Sequence, residues 1–179
     1  MFQFRVTKYD PRFRDASGAF TRDDWIGVGD IGNAFNDHVL TPAEYLRIEN
    51  AYVSSAITFL TDAGVDTLLI AGLENHGGFN SSALTLANGH SCNLLTCADI
   101  VRLNLRSEVW CRLECESAFL HFGHDYYMYV GIACKCPSAI QHATDSGLFV
   151  EPFDSPYRCL LYTSPSPRDL STSRMPSSA

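Results

Sequence analysis

The clearest pattern in the chain is a period of two between Val109 and Glu116. Val109, Cys111, Leu113 and Cys115 alternate with Trp110, Arg112, Glu114 and Glu116, which marks a strand with two unlike faces. Glu116-Ser117 can turn the chain, Ala118 to Phe122 is a short apolar run, and Gly123-His124-Asp125 makes a second break. Tyr126 to Ile132 is rich in aromatic and β-favouring residues. Glu108 to Ile132 therefore reads as consecutive antiparallel strands. On the last of them, Tyr126, Met128, Val130 and Ile132 would face in, and Tyr127 and Tyr129 out. Phe2 to Tyr9 alternates in the same way up to the break at Asp10-Pro11 and reads as another strand of this sheet. Val65 to Leu73 reads as a buried strand, and Leu148-Phe149-Val150 as an edge strand before Pro152.

The period changes to that of a helix over residues 41–64. Thr41 is the expected N-cap, Pro42 takes the first helical position, Glu44 completes a capping box, and Gly64 stands at the C-terminal cap. Leu46, Val53, Ile57 and Leu60 form the predicted apolar stripe, broadened by Tyr45, Tyr52, Ala56 and Phe59. A second helix is expected to open at Thr96, with Asp99 three positions on and Ile100, Val101 and Leu103 on its apolar side. Trp25, Ile26 and Ile31 are expected to seal one edge of the core. Residues 75–90 and 133–147 read as irregular. The sum is an α+β domain over residues 1–158: a small antiparallel sheet with two main helices packed on it.

Composition adds bounds. The 179 residues are 46% apolar, enough for one core. A net charge of -7 argues against phosphate-driven nucleic-acid binding and suits a basic partner. The opening MFQFRVTKYD carries no secretory pattern, and the longest apolar run, Leu68 to Leu73, is too short to span a bilayer. The seven cysteines are an odd number, which favours reduced thiols and a cytoplasmic setting. Residues 164–179 hold six serines and three prolines in sixteen positions, a composition that cannot build a core. From about Cys159 on, the chain resembles a peptide that recurs at the ends of unrelated environmental reading frames, as if read through into adaptor sequence.

No motif names a reaction. His121, His124 and Cys134-x-Cys136 are zinc-capable types at a spacing unsuited to a structural site, so neither metal nor cofactor is expected. Cys92 and Cys97 lie near His90 without an activating environment for a nucleophile. Gly27-Val28-Gly29 is followed by Asp30 and not by a dinucleotide fingerprint. The stronger constellation is physical: Trp110, Arg112, Glu114, Glu116, Tyr127 and Tyr129 share one predicted sheet face, and Trp, Tyr and Arg dominate binding hot spots. The same pattern also describes a face covered by a helix, with the aromatics in the core. A rival site, for a small molecule or a reaction, gathers His121, His124, Asp125 and Tyr126 around Gly123.

Three segments carry a family likeness: VTKYDPRFRDASGAFTRDDWIGVGDIG from Val6, LTPAEYLRIENAYVSSAITFL from Leu40, and EVWCRLECESAFLHFGHDYYMYVG from Glu108. In overall pattern they resemble small acidic bacterial proteins of the immunity type, from contact-dependent inhibition and related polymorphic-toxin systems. The resemblance implies a non-catalytic toxin inhibitor that lays acidic and aromatic side chains over a basic active cleft. The loop at 75–95 and the stretch 134–147 fall outside it.

Overall fold

In the computed structural model, which describes residues 1–75, 78–80 and 84–158, the alternating segments pair into one seven-stranded antiparallel sheet. Its strands are β1 (Phe2–Thr7), β4 (Thr67–Glu74), β5 (Ser91–Asn93), β6 (Trp110–Glu114), β7 (Ala118–Phe122), β8 (Tyr127–Ile132) and β9 (Phe149–Pro152). The short β2 (Ala34–Phe35) and β3 (His38–Val39) form a separate ribbon. The order across the sheet is β5-β4-β6-β7-β8-β1-β9, so the N-terminal strand lies between β8 and β9. Three helices complete an α+β fold: α1 (Pro42–Asp62), α2 (Leu94–Leu105) and α3 (Pro137–Asp145). None is long and apolar enough to cross a membrane. The tail from Cys159 lies outside the described residues.

The core forms where the apolar residues of the sheet meet α1. Val6, Ile70, Leu113, Leu120, Met128 and Ile132 are buried with Tyr52, Ala56, Phe59 and Leu60. The Phe4 and Phe59 rings stack at 5.8 Å. Thr41 caps α1 as expected, its hydroxyl accepting the Glu44 amide at 3.2 Å.

The helices depart from the sequence reading in three respects. The buried arc of α1 centres on Tyr45, Tyr52, Ala56 and Phe59, which the sequence placed only at the margin of the stripe, and of the stripe itself Val53 and Leu60 are buried while Leu46 and Ile57 are not. Leu46 is 44% exposed and Ile57 only partly buried. The reason is that α1 packs against α2 and α3 as well as the sheet, so burial wraps far around it. The cap of α2 is Asn93, whose side chain accepts the Thr96 amide at 2.9 Å, so the helix starts directly after β5. Residues 137–145, expected to be irregular, form α3. Pro137 takes its first turn, and Ala139 and Ala143, spaced by one turn, are buried where it packs on α1.

The second sheet face is covered too, though by no helix. The chain after β9, residues 153–158, forms a strap that ends in a turn at 156–158. Its Phe153 amide donates to the Gln3 carbonyl at 3.2 Å, and its Ser155 amide to the Gln3 side chain at 3.1 Å. Phe153 and Tyr157 pack on Tyr129, at 5.8 and 5.9 Å. Under this cover the Phe119 ring lies across Gly131, where an added Cβ would fall inside the ring. Phe119 is itself buried and stacked on His121 at 4.1 Å, so it has little room to yield. Gly131→Ala is therefore expected to cost about 1–3 kcal/mol in urea unfolding. Gly29→Ala, where the added carbon meets nothing within 4 Å, should be near neutral. Equal losses would mean that the Phe119 ring does not occupy that space.

Candidate functional site

The β7–β8 hairpin positions the first wall of a cleft. Asp125 and Tyr126 both adopt the left-handed conformation, at φ 58° and 62°. Aspartate tolerates it, whereas a bulky tyrosine does so at a cost of about 1–2 kcal/mol. Burial holds the turn in place. The Tyr126 ring meets Trp25 edge-on at 5.0 Å and Tyr52 at 5.4 Å, and its carbonyl accepts the Tyr52 hydroxyl at 2.6 Å. The Lys8 amide donates to the same Tyr52 oxygen at 2.7 Å, which ties the turn to the end of β1. With Tyr126 anchored inward, His124 and Asp125 stand exposed.

The opposite wall is the segment Ile26 to Asp30. Its Asp30 carboxylate accepts the Ile26 and Gly27 amides at 2.7 and 3.1 Å, closing a tight loop. Trp25 is buried, as expected of an edge seal, but Ile26 is 56% exposed and belongs to the cleft. The floor comes from the α2–β6 connection and the strand ends: Leu105, Val109, Phe122 and Tyr126 are buried there. Trp110 opens β6 and donates its indole N–H to the Phe122 carbonyl at 2.9 Å, with its ring 5.6 Å from Tyr157. The resulting cleft has a volume of about 740 Å³. Asp30, Glu74 and Asp125 are among its described lining residues, which include no Lys or Arg.

The two sequence-derived groups are thus redistributed. Trp110 and Tyr127 from the predicted face, and His124, Asp125 and Tyr126 from the rival group, line one cleft. Arg112, Glu114 and Tyr129 do not form an exposed face with them. Tyr129 is buried under the strap, and Arg112 and Glu114 are mostly covered and pair with each other at 3.4 Å. Glu116 is exposed in the β6–β7 turn. Tyr127 is half-buried, its hydroxyl accepting from Arg14 at 3.0 Å.

His121 separates from the other members of its group. Fully buried, it hydrogen-bonds Glu114 through Nε2 at 2.9 Å and Ser155 through Nδ1 at 2.7 Å. A serine, a histidine and a carboxylate in series have the order of a nucleophile, its base and an orienting acid. Here Ser155 is 5% exposed, and its oxygen already accepts the Tyr157 amide at 3.3 Å. Burial, with Arg112 and Arg158 nearby, pushes the imidazole down to about 3, so the ring is neutral at pH 7 and a poor base. The arrangement suits fastening the strap to the sheet. No sequence signal marked Ser155, because its partner lies 34 positions away.

Among the described residues, no group of three or more His, Cys, Asp or Glu side chains is placed to hold a metal ion. Comparison with family models, curated proteins and solved structures found no match to this chain.

Proposed function

We propose that the chain is a non-catalytic binding protein whose cleft takes a basic segment of a protein partner, in the manner of an immunity protein that occludes a toxin's basic active cleft. The observation that carries this reading is the lining itself: Asp125, Asp30 and Glu74 share the cleft with Trp110 and Tyr157, and no Lys or Arg is among the described lining residues. An arginine or lysine entering such a site gains both charge pairing and contact with aromatic faces. The chain's charge of -7 would speed the encounter. The pinned Tyr126 turn supplies a preformed wall, which lowers the ordering cost of binding.

The test is titration with an oligo-arginine peptide, followed by tryptophan fluorescence at two salt concentrations, with an oligo-glutamate peptide as control. Asp125→Asn removes a charge without disturbing the left-handed backbone, which asparagine accepts. It should slow association and flatten the salt dependence. Trp110→Ala should weaken binding by about 2 kcal/mol with the circular dichroism spectrum unchanged. Salt-independent binding, or affinity untouched by Asp125→Asn, would place the cation site elsewhere. A toxin domain encoded beside the gene should then be inhibited at one-to-one stoichiometry, and the same two variants should weaken that inhibition.

A further inference from the structure

We propose that Cys134 and Cys136 form a redox-active dithiol that closes reversibly to an intramolecular disulfide by exchange with a small-molecule disulfide such as oxidised glutathione. The two Sγ atoms lie 3.0 Å apart, in hydrogen-bond contact. Their approach is built into the backbone. Cys136 adopts the left-handed conformation, at φ 41° and ψ 59°, which a non-glycine residue rarely takes, and Pro137 fixes the first turn of α3 directly after it.

The pair is asymmetric in the way exchange chemistry requires. Cys134 is exposed and Cys136 is 4% exposed. The exposed Cys134 sulfur is the one a small disulfide can reach and makes the first attack, while burial and the neighbouring Cys134 sulfur raise the Cys136 thiol. The Cys134 thiolate displaces one glutathione thiolate and leaves a mixed disulfide. Cys136 then gives up its proton, attacks the Cys134 sulfur and expels the second glutathione. Two protein thiols are oxidised, one glutathione disulfide is reduced, and the two protons end on the two released glutathiones.

The other described cysteines offer no such pair. Cys92, Cys97 and Cys111 are buried, and burial pushes Cys97 up to about 12 and Cys111 to about 11. Closure would have a structural consequence. The Cys134 and Cys136 thiols face the Asp62 and Phe59 carbonyls of the last turns of α1, at 3.9 and 4.0 Å. A disulfide removes both S–H donors from the place where α3 joins α1.

The experiment equilibrates the full chain with oxidised glutathione, alkylates free thiols in denaturant, and maps peptides after tryptic cleavage. Two of the seven thiols should be lost. Because cleavage falls after Lys135, peptides 113–135 and 136–158 should stay joined until a reductant is added. Cys134→Ser and Cys136→Ser should each abolish the joined species, and Cys115→Ser, which alters the other cysteine of the first peptide, should retain it. Seven alkylated thiols, a glutathione adduct on Cys134 that never resolves, or a joined species that survives Cys134→Ser would each overturn the assignment.

Discussion

Phe59→Ala should destabilise the protein by about 3–5 kcal/mol, while Leu46→Ala on the same helix should cost less than about 1 kcal/mol. Phe59 has no exposed surface, stacks on Phe4 at 5.8 Å and sits where α1 meets the sheet. Truncation would remove the ring's contacts and leave a cavity that the surrounding strands cannot collapse to fill. Leu46 keeps 44% of its surface in water, so its removal forfeits little burial, and alanine is at least as good a helix former. Urea unfolding followed by circular dichroism measures both. Comparable losses would mean that α1 is rotated to present Leu46 and Ile57, as the bare sequence suggests.

That rotation shows which part of the fold was legible. Most of the strands were, because a period of two survives whatever packs above it: the alternation of β6 is that of Trp110 to Glu114 in the sequence, whereas β2, β3 and β5, two or three residues long, show no period to read. The helix face was legible only in part: Tyr45, Tyr52, Val53, Ala56, Phe59 and Leu60 are buried, but ranking by side-chain hydrophobicity centres the stripe on Leu46 and Ile57. Tyrosine buries more area than its polarity suggests, and alanine is selected where helices approach closely. The short α3 carried its own signals, Pro137 at the start and Gly147 at φ 87° beyond the end. They were masked by a stretch with few large apolar residues.

Part of the lining of the candidate cleft was legible by residue, Trp110, His124, Asp125, Tyr126 and Tyr127, but not by grouping, and Asp30, Glu74 and Tyr157 carried no signal. Trp110 and the Gly123–Tyr126 turn fall in different constellations of the sequence because they are separated along the chain. Pairing of β6 with β7 brings Trp110 beside Phe122, next to the turn. The segment Ile26 to Asp30 joins them only because burial of Trp25 against Tyr45 and Tyr126 fixes its position. The covered outer face was hidden for a different reason. Its cover is a strap of ordinary loop composition, whose docking depends on Gln3, at the other end of the chain.

Arg106→Ala should cost about 3 kcal/mol and should also weaken binding at the cleft. Glu49 is 1% exposed, in the middle of α1, where a carboxylate is tolerated only if it is paired. Arg106, just after α2, grips it with Nε and one terminal nitrogen at 2.7 and 2.8 Å, and the Tyr45 hydroxyl donates at 3.1 Å. Without the guanidinium the buried charge keeps a single neutral donor, and stranding such a charge costs far more than the intact pair contributes. Arg106→Lys should recover only part of the loss, because an ammonium cannot reproduce the two parallel contacts. The double variant Glu49→Met, Arg106→Met should be more stable than Arg106→Ala, because no unpaired charge remains. The cleft is affected because Asn104, Leu105 and Ser107, which flank the arginine, line it, and because Tyr45 packs at 6.3 Å against the strained Tyr126. Oligo-arginine affinity measured on folded Arg106→Ala should therefore fall even though Arg106 is not among the lining residues. A variant as stable as wild type would mean that Glu49 is reached by water in solution.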